Sequence, residues 1–187
     1  MVVQMGEYTF RMDEDGKRLW AGERTYPARL YRHSFADDIP PDDPVWRSLP
    51  DYRMETRRAL VCFENQWELS TIWGDATYSS NRMTLDRPLL PFIEEPTAVE
   101  VGLLAPAPFV IEAVEFEIPN GGKIEMPARE THLWGDPIGW VTVPEYHRLA
   151  DVVMNLPTEM ELPEMDYWDS VEAFCDFIVT LALDQTL

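Results

Sequence analysis

The sequence predicts an α+β domain: a mainly antiparallel β-sheet with two C-terminal helices packed on it. Three observations carry this. Two segments read as tight hairpins whose apolar positions match across a short loop. Two helix-start signals lie near the C-terminal end. The chain, at 187 residues with 45% hydrophobic and 12% aromatic content, has the length of one ordinary domain and the means to fill a core. The expected organisation is a single domain over residues 1–187. An N-terminal hairpin subregion over 1–50 joins the rest through a Pro/Asp-rich loop at 35–51.

In chain order, Tyr8–Met12 and Lys17–Trp20 flank Asp13-Glu-Asp-Gly16 and predict the first hairpin. Asp13, Asp15 and Gly16 have a faint look of a calcium loop, but the spacing is not that of an EF-hand, so a plain turn is expected. Residues Phe35 to Asp51 hold four prolines and five aspartates, the composition of a linker or loop. Trp46 is expected to pin that loop to the body.

The next hairpin is the sharpest local prediction. A three-residue loop, Glu64-Asn65-Gln66, places Phe63 opposite Trp67 and Val61 opposite Leu69, with Cys62 and Glu68 on the other face. A two-residue loop would set Phe63 against Glu68. Further on, Val114–Ile118 and Lys123–Met126 surround Asn120-Gly121-Gly122. Pairing Ile118 with Ile124 and Phe116 with Met126 makes one apolar face. The opposite face carries Glu115, Glu117 and Glu125, with Glu117 directly across from Glu125. Like charges so placed destabilise a sheet, so folding alone does not call for them.

Thr142-Val-Pro-Glu145 has the form of a capping box opening a helix over 144–156. A second helix is expected from Asp169-Ser-Val-Glu172 to about Asp184, with Val171, Phe174, Ile178 and Leu181 facing the sheet. Between the helices, residues 156–168 (LPTEMELPEMDYW) mix prolines, methionines, acids and aromatics. That mixture predicts a surface loop able to meet a partner. Trp-Gly-Asp occurs twice, at Trp73–Asp75 and Trp134–Asp136, each closing an expected strand. No regular period accompanies it, so coincidence is the reading preferred over duplication.

Charge is sorted along the chain. The net charge is −19; residues 1–58 hold ten Arg/Lys against eleven Asp/Glu, and residues 59–187 five against twenty-three. Such a surface repels nucleic acid and anionic membrane and attracts basic protein surfaces; added solubility is the plainer reading. The two cysteines, Cys62 and Cys175, sit among apolar residues and are expected to be buried thiols rather than a disulfide framework. The N-terminal residues show no signal-peptide pattern, and no apolar stretch suits a bilayer span. A soluble, cytoplasmic protein is expected.

Catalytic and cofactor signatures are sparse. His33, His132 and His147 show no zinc spacing, and His147 is expected at a helix surface. Neither a G-x-S-x-G elbow nor a phosphate-cradling glycine loop is present. Lys17 and Lys123 are the two lysines. No cofactor or metal is expected, and a binding protein is favoured over an enzyme. Its expected partner is a basic protein surface, such as that of a nucleic-acid-binding protein. The roles open to it are an inhibitor, including a DNA mimic, an immunity protein that neutralises a toxin, or an assembly component. Same-face side chains on a strand repeat every ~6.6 Å, near twice the ~3.4 Å rise per phosphate of one DNA strand. Glu115, Glu117 and Glu125 are the first candidates for partner contact. Glu164, Asp166, Tyr167 and Trp168 are the second.

One resemblance accompanies these readings. Phe63-Glu-Asn-Gln-Trp-Glu-Leu-Ser70, then Thr77-Tyr-Ser-Ser80, Val99-Glu-Val101, Gly139-Trp-Val-Thr-Val-Pro-Glu145 and Leu156-Pro157 form a pattern. It resembles one in small uncharacterised phage and prophage proteins, over roughly residues 60 to 157. The resemblance brings no activity or site residues. It implies a phage or mobile-element setting, hence a host-interacting or anti-defence role.

Overall fold

The structure, a computed structural model, describes residues 5–34, 55–74, 77–80, 95–117, 123–163 and 168–185. After a 3-10 turn at Met5–Tyr8, the strands are β1 (Phe10–Met12), β2 (Arg18–Ala21), β3 (Arg24–Ser34), β4 (Glu55–Cys62) and β5 (Glu68–Gly74), followed by β6 (Ala98–Ile111), β7 (Val114–Glu117), β8 (Lys123–Met126), β9 (Arg129–Leu133) and β10 (Ile138–Thr142). Helices α1 (Val143–Val153) and α2 (Val171–Asp184) close the chain. The main sheet runs β1-β2-β3-β4-β5-β6-β10, with β9 also on β6. Every pairing among the described strands is antiparallel. The expected α+β class is therefore the observed one. The N-terminal hairpin extends this sheet, because β3 pairs β4 from Ala28↔Val61 to Ser34↔Glu55. The Phe35–Asp51 loop with Trp46 lies outside the described residues.

The first turn closes by hydrogen bonds to one carboxylate. Asp13 Oδ1 accepts from the backbone N–H of Lys17 at 2.8 Å and of Arg18 at 3.1 Å. The β4–β5 hairpin has the three-residue loop and the register read from sequence, with Val61 opposite Leu69 and Cys62 opposite Glu68. Gln66 takes the left-handed position at φ 69°. Asn65 then turns the loop into a clasp. Its side-chain amide donates to the Val153 and Leu156 carbonyls at 2.8 and 2.9 Å, the last carbonyl of α1 and one in the turn just beyond it.

Alternation sorts the core. On β4 and β5, Ala59, Val61, Leu69, Thr71 and Trp73 are buried on one face. Helix α1 covers that face, and the sheet curls around it. The helix follows β10 at one end of the sheet and also lies against β2 near the other. Its buried residues, Val143, Tyr146, Leu149, Ala150 and Val153, recur at helical spacing. Tyr146 is wholly buried; its ring meets Phe10 of β1 and Tyr26 of β3 edge-on, at 5.3 and 5.5 Å between centroids. Its hydroxyl shares a 2.8 Å hydrogen bond with the buried Thr71 of β5. Burial pushes the Tyr146 phenol well above its ordinary pKa, so the hydroxyl stays protonated. The α1 N-terminus is fixed as read: the Glu145 carboxylate accepts from both the Thr142 N–H and its hydroxyl, at 2.8 and 2.6 Å. The helix ends at Val153 rather than Leu156, and residues 154–156 turn out of it.

The segment from 156 to 168 departs from the surface-loop expectation. Leu156 and Trp168 are buried, and Met160 and Leu162 pack against the core. Two buried indoles hold it: Trp67 Nε1 donates to the Pro157 carbonyl and Trp134 Nε1 to the Pro163 carbonyl, both at 2.8 Å. Trp168 stacks edge-on against Phe174 at 4.7 Å and Trp134 at 5.2 Å. Helix α2 starts at a Ser170 cap and buries Val171, Phe174, Cys175 and Ile178, while Leu181 is half-buried. Both Trp-Gly pairs close a strand. Trp73 and Trp134 are buried, and Gly74 and Gly135 follow at φ 110° and 68°, where a Cβ would be strained.

Two predictions test this packing. Tyr146→Ala is expected to lower unfolding stability by about 3–5 kcal/mol, and Tyr146→Phe by about 1–2 kcal/mol because the buried Thr71 hydroxyl loses its partner; urea unfolding measures both. The second concerns the exposed ion pair between Arg24 of β3 and Asp151 of α1, in which Arg24 Nη1 donates at 3.1 Å. Its hydrogen bond to Arg24 holds the Asp151 carboxyl below the ordinary 3.8. A depressed folded pKa adds stability above the unfolded value and loses it as pH falls through the folded one. Asp151→Asn is expected to cost at most about 0.5 kcal/mol at neutral pH, given solvent screening. Its difference from the native chain should vanish on acidification below 3.8.

Candidate protein-binding arm

Strand β6 is shared between two structures. Val101 pairs with Thr71 on one side and Ile138 on the other, and Leu104 with Glu68 and Leu133. Both β10 and β9 therefore lie on the edge of β6 opposite β5. Past Leu104 the register of β6 against β9 shifts before resuming at Phe109. Pro106 and Pro108 occupy that interval, where a residue without an N–H interrupts a ladder.

From Phe109 outward the chain forms one ribbon. Phe109↔Thr131, Val110↔Glu130 and Ile111↔Arg129 belong to the β6–β9 pair. Val114↔Met126, Glu115↔Glu125, Phe116↔Ile124 and Glu117↔Lys123 belong to β7–β8. The two ladders keep a single register across the break at Glu112-Ala113 and Pro127-Ala128, so they are two lengths of one β-arm. Its outgoing strand, residues 109–117, is roughly 25 Å of extended chain at ~3.3 Å per residue. Val110, Glu112, Ala113, Glu115, Lys123, Pro127, Ala128 and Glu130 are all exposed.

The arm carries the first-choice contact residues. Alternation puts Glu115, Glu117 and Glu125 on one face, as read from sequence, together with Lys123. The register differs from the expected one by two residues. Glu125 faces Glu115 instead of Glu117, and Glu117 faces Lys123. The expected pairing would have set Pro119, which has no N–H to donate, into the ladder. The observed one keeps one like-charged pair, Glu115 with Glu125, and sets the opposite charges of Glu117 and Lys123 across from each other. Lys123 Nζ also pairs with Glu115 Oε1, an exposed contact worth under about 1 kcal/mol. One lysine thus stands among three glutamates on this face.

Of the second-choice set, Trp168 is the described member. Trp168, 7% exposed, is a core residue, not a surface contact, because the aromatic cluster around Trp134 and Phe174 encloses it. Glu164, Asp166 and Tyr167 lie outside the described residues. Within that loop Glu159 and Glu161 are exposed. Glu161 is fixed by the Gln185 side chain, which bonds its backbone N–H and C=O, both at 2.8 Å.

The residues screened for chemistry hold structural places. Cys62 is exposed, against the buried expectation, because alternation on β4 turns it to the outer face; Cys175 is buried. Partial shielding of the thiol from water, then the hydrogen bond to Glu68 at 3.0 Å, pushes Cys62 up to about 11, and burial pushes Cys175 up to about 11. Both are held as thiols at neutral pH, opposite to the shift that activates a nucleophile. His147 is half-buried, not a surface residue, and its Nε2 lies 2.8 Å from the Ala21 carbonyl; His132 Nδ1 lies 2.9 Å from that of Ala105. The His33 side chain is not described. Among the described residues no group of three His, Cys, Asp or Glu side chains is placed to hold a metal, and no helix is long and apolar enough to cross a membrane.

Comparison with protein-family models, characterised proteins and solved structures gives no match to this chain.

The thiol environment sets a labelling order. Cys62 is expected to react first with a thiol reagent at pH 8, at a rate well below that of an unfolded control. Glu68→Gln is expected to accelerate it by lowering the thiol pKa. Mass-resolved alkylation time courses read both effects.

Proposed function

We propose that the protein is a stoichiometric, non-enzymatic binder that lays the acidic face of its β-arm on a basic protein surface, inhibiting a nucleic-acid-binding host or defence protein. The observation that carries this reading is the arm itself. It is a single-register ribbon whose described side chains beyond residue 109 are exposed, apart from the half-buried Thr131 at its base. One face is dominated by three glutamates. An isolated two-stranded ribbon is marginally stable in water, so a partner surface is the setting in which such an arm gains most. The charge agrees: residues 59–187 hold five Arg/Lys against twenty-three Asp/Glu, which favours encounter with basic surfaces. The phage-like sequence pattern is in keeping with a host-directed role, and the cytoplasm is the compartment this reading requires.

The test is affinity capture from bacterial lysate with the native chain and with a Glu115→Gln/Glu117→Gln/Glu125→Gln variant. The expected result is a basic partner that elutes as salt rises. The purified pair should bind roughly 10–100-fold more weakly when the three charges are removed, as for several screened interfacial charges acting together. Competition by duplex DNA would identify the mimic form. A partner bound equally by both chains, or held regardless of salt, would overturn the reading.

A further inference from the structure

A second surface site lies apart from the arm, where four stretches of chain meet. The segment Thr77–Ser80 is tied down at each residue. The Thr77 hydroxyl donates to the Gly74 carbonyl at 2.8 Å, and Ser79 Oγ accepts from Gly74 N–H at 3.1 Å. Ser80 N–H donates to the Ala98 carbonyl at 3.0 Å. Tyr78 between them is bound through its backbone, donating from N–H to Glu100 Oε2 at 2.8 Å and accepting from Trp140 N–H at 2.7 Å.

These bonds present two aromatic rings to solvent. Tyr78 is 55% exposed and Trp140 52%. Trp140 has φ 58°, a left-handed conformation unusual for a bulky residue. Its neighbour Gly139 is packed under Tyr78 so closely that a Cβ there would sit 2.5 Å from the Tyr78 Cβ. The rings border a cleft of about 610 Å³ whose other walls include Glu100, Asp136, Trp168 and Asp169. No Lys, Arg or His is among its described lining residues. The cleft therefore combines exposed aromatic faces with three carboxylates in its wall.

We propose that this cleft binds an arginine side chain presented by a partner polypeptide. A planar guanidinium stacks on an aromatic face and meets carboxylates through a rigid fork of donors. A neutral ligand would leave the negative charge of Asp136 and Asp169 unanswered. A lysine ammonium has the charge without the planar stacking, so it binds more weakly. The open, surface position of Tyr78 and Trp140 suits a side chain reaching in from another chain. None of the arm's described residues lines the cleft, so this site does not depend on the arm reading.

The experiment titrates the full chain with acetyl-Gly-Arg-Gly-amide at low salt, following tryptophan indole NMR resonances. The Lys and citrulline peptides and free arginine amide are titrated in parallel. Saturable binding is expected for the Arg peptide, weaker binding for Lys, and none for citrulline, which keeps the shape but not the charge. Trp140→Gly keeps the backbone conformation accessible and is expected to weaken binding roughly 5–30-fold through loss of the cation–π contact. Asp136→Asn should weaken it several-fold. The Glu115/Glu117/Glu125 triple Gln variant is expected to bind the peptide as the native chain does, which separates this site from the arm. No saturable Arg binding, equal binding of citrulline, or binding of free arginine amide but not of the peptide would each overturn the proposal.

Discussion

The fold turns on the burial of Tyr146. A curled sheet has an apolar inner face that must be covered, and here α1 covers it. Tyr146 reaches three strands that are not neighbours in sequence: Phe10 of β1 and Tyr26 of β3 through ring edges, and Thr71 of β5 through its hydroxyl. The rings fix the distance between helix and sheet. The hydroxyl fixes rotation, because a buried O–H left without a partner is costly. The helix entry at Thr142–Glu145 and the exit clasp at Asn65 hold the two ends of α1 while Tyr146 holds its middle.

The loop after α1 follows the same logic. A tryptophan is large enough to close a core and carries one donor that needs an acceptor when buried. Trp67 and Trp134 find theirs on Pro157 and Pro163. Proline has no N–H of its own, but its carbonyl remains an acceptor. The two Leu-Pro steps thus each supply an apolar side chain and an indole acceptor. A proline- and acid-rich segment is in this way drawn onto the core.

Different parts of the fold were legible to different depths. The β4–β5 hairpin could be read to the residue, because large apolar groups on both strands punish a slip of one. The arm could be read for its faces but not its register. A slip of two residues preserves alternation, and only Pro119 and Lys123 distinguish the alternatives. Trp168 was misplaced because acids and prolines around it signal a loop, whereas its own size signals packing against Phe174. The long β6 was obscured by Pro106 and Pro108, which sit where its pairing with β9 shifts. The glutamates of the arm announced themselves as a cluster in sequence. Tyr78, Glu100, Asp136, Trp140 and Asp169 did not, since the cleft gathers them from separate segments and no linear pattern links them.

The sorting of charge along the chain acquires a direction once the strand order is known. Residues 5–34 and 55–62, which build β1 to β4, contain eight Arg/Lys against six Asp/Glu, and the other described residues contain three against eighteen. Since β1 to β4 are consecutive in the sheet, the charges of the described residues have a dipolar distribution across its strands, in addition to the net negative charge of the chain. A dipole exerts a torque in the field of a charged neighbour, within the ~8–10 Å that physiological salt leaves unscreened. A basic surface would therefore turn this protein before touching it, leading with the side that bears β6 and the arm. Two copies of the chain would meet acidic side to acidic side only against repulsion.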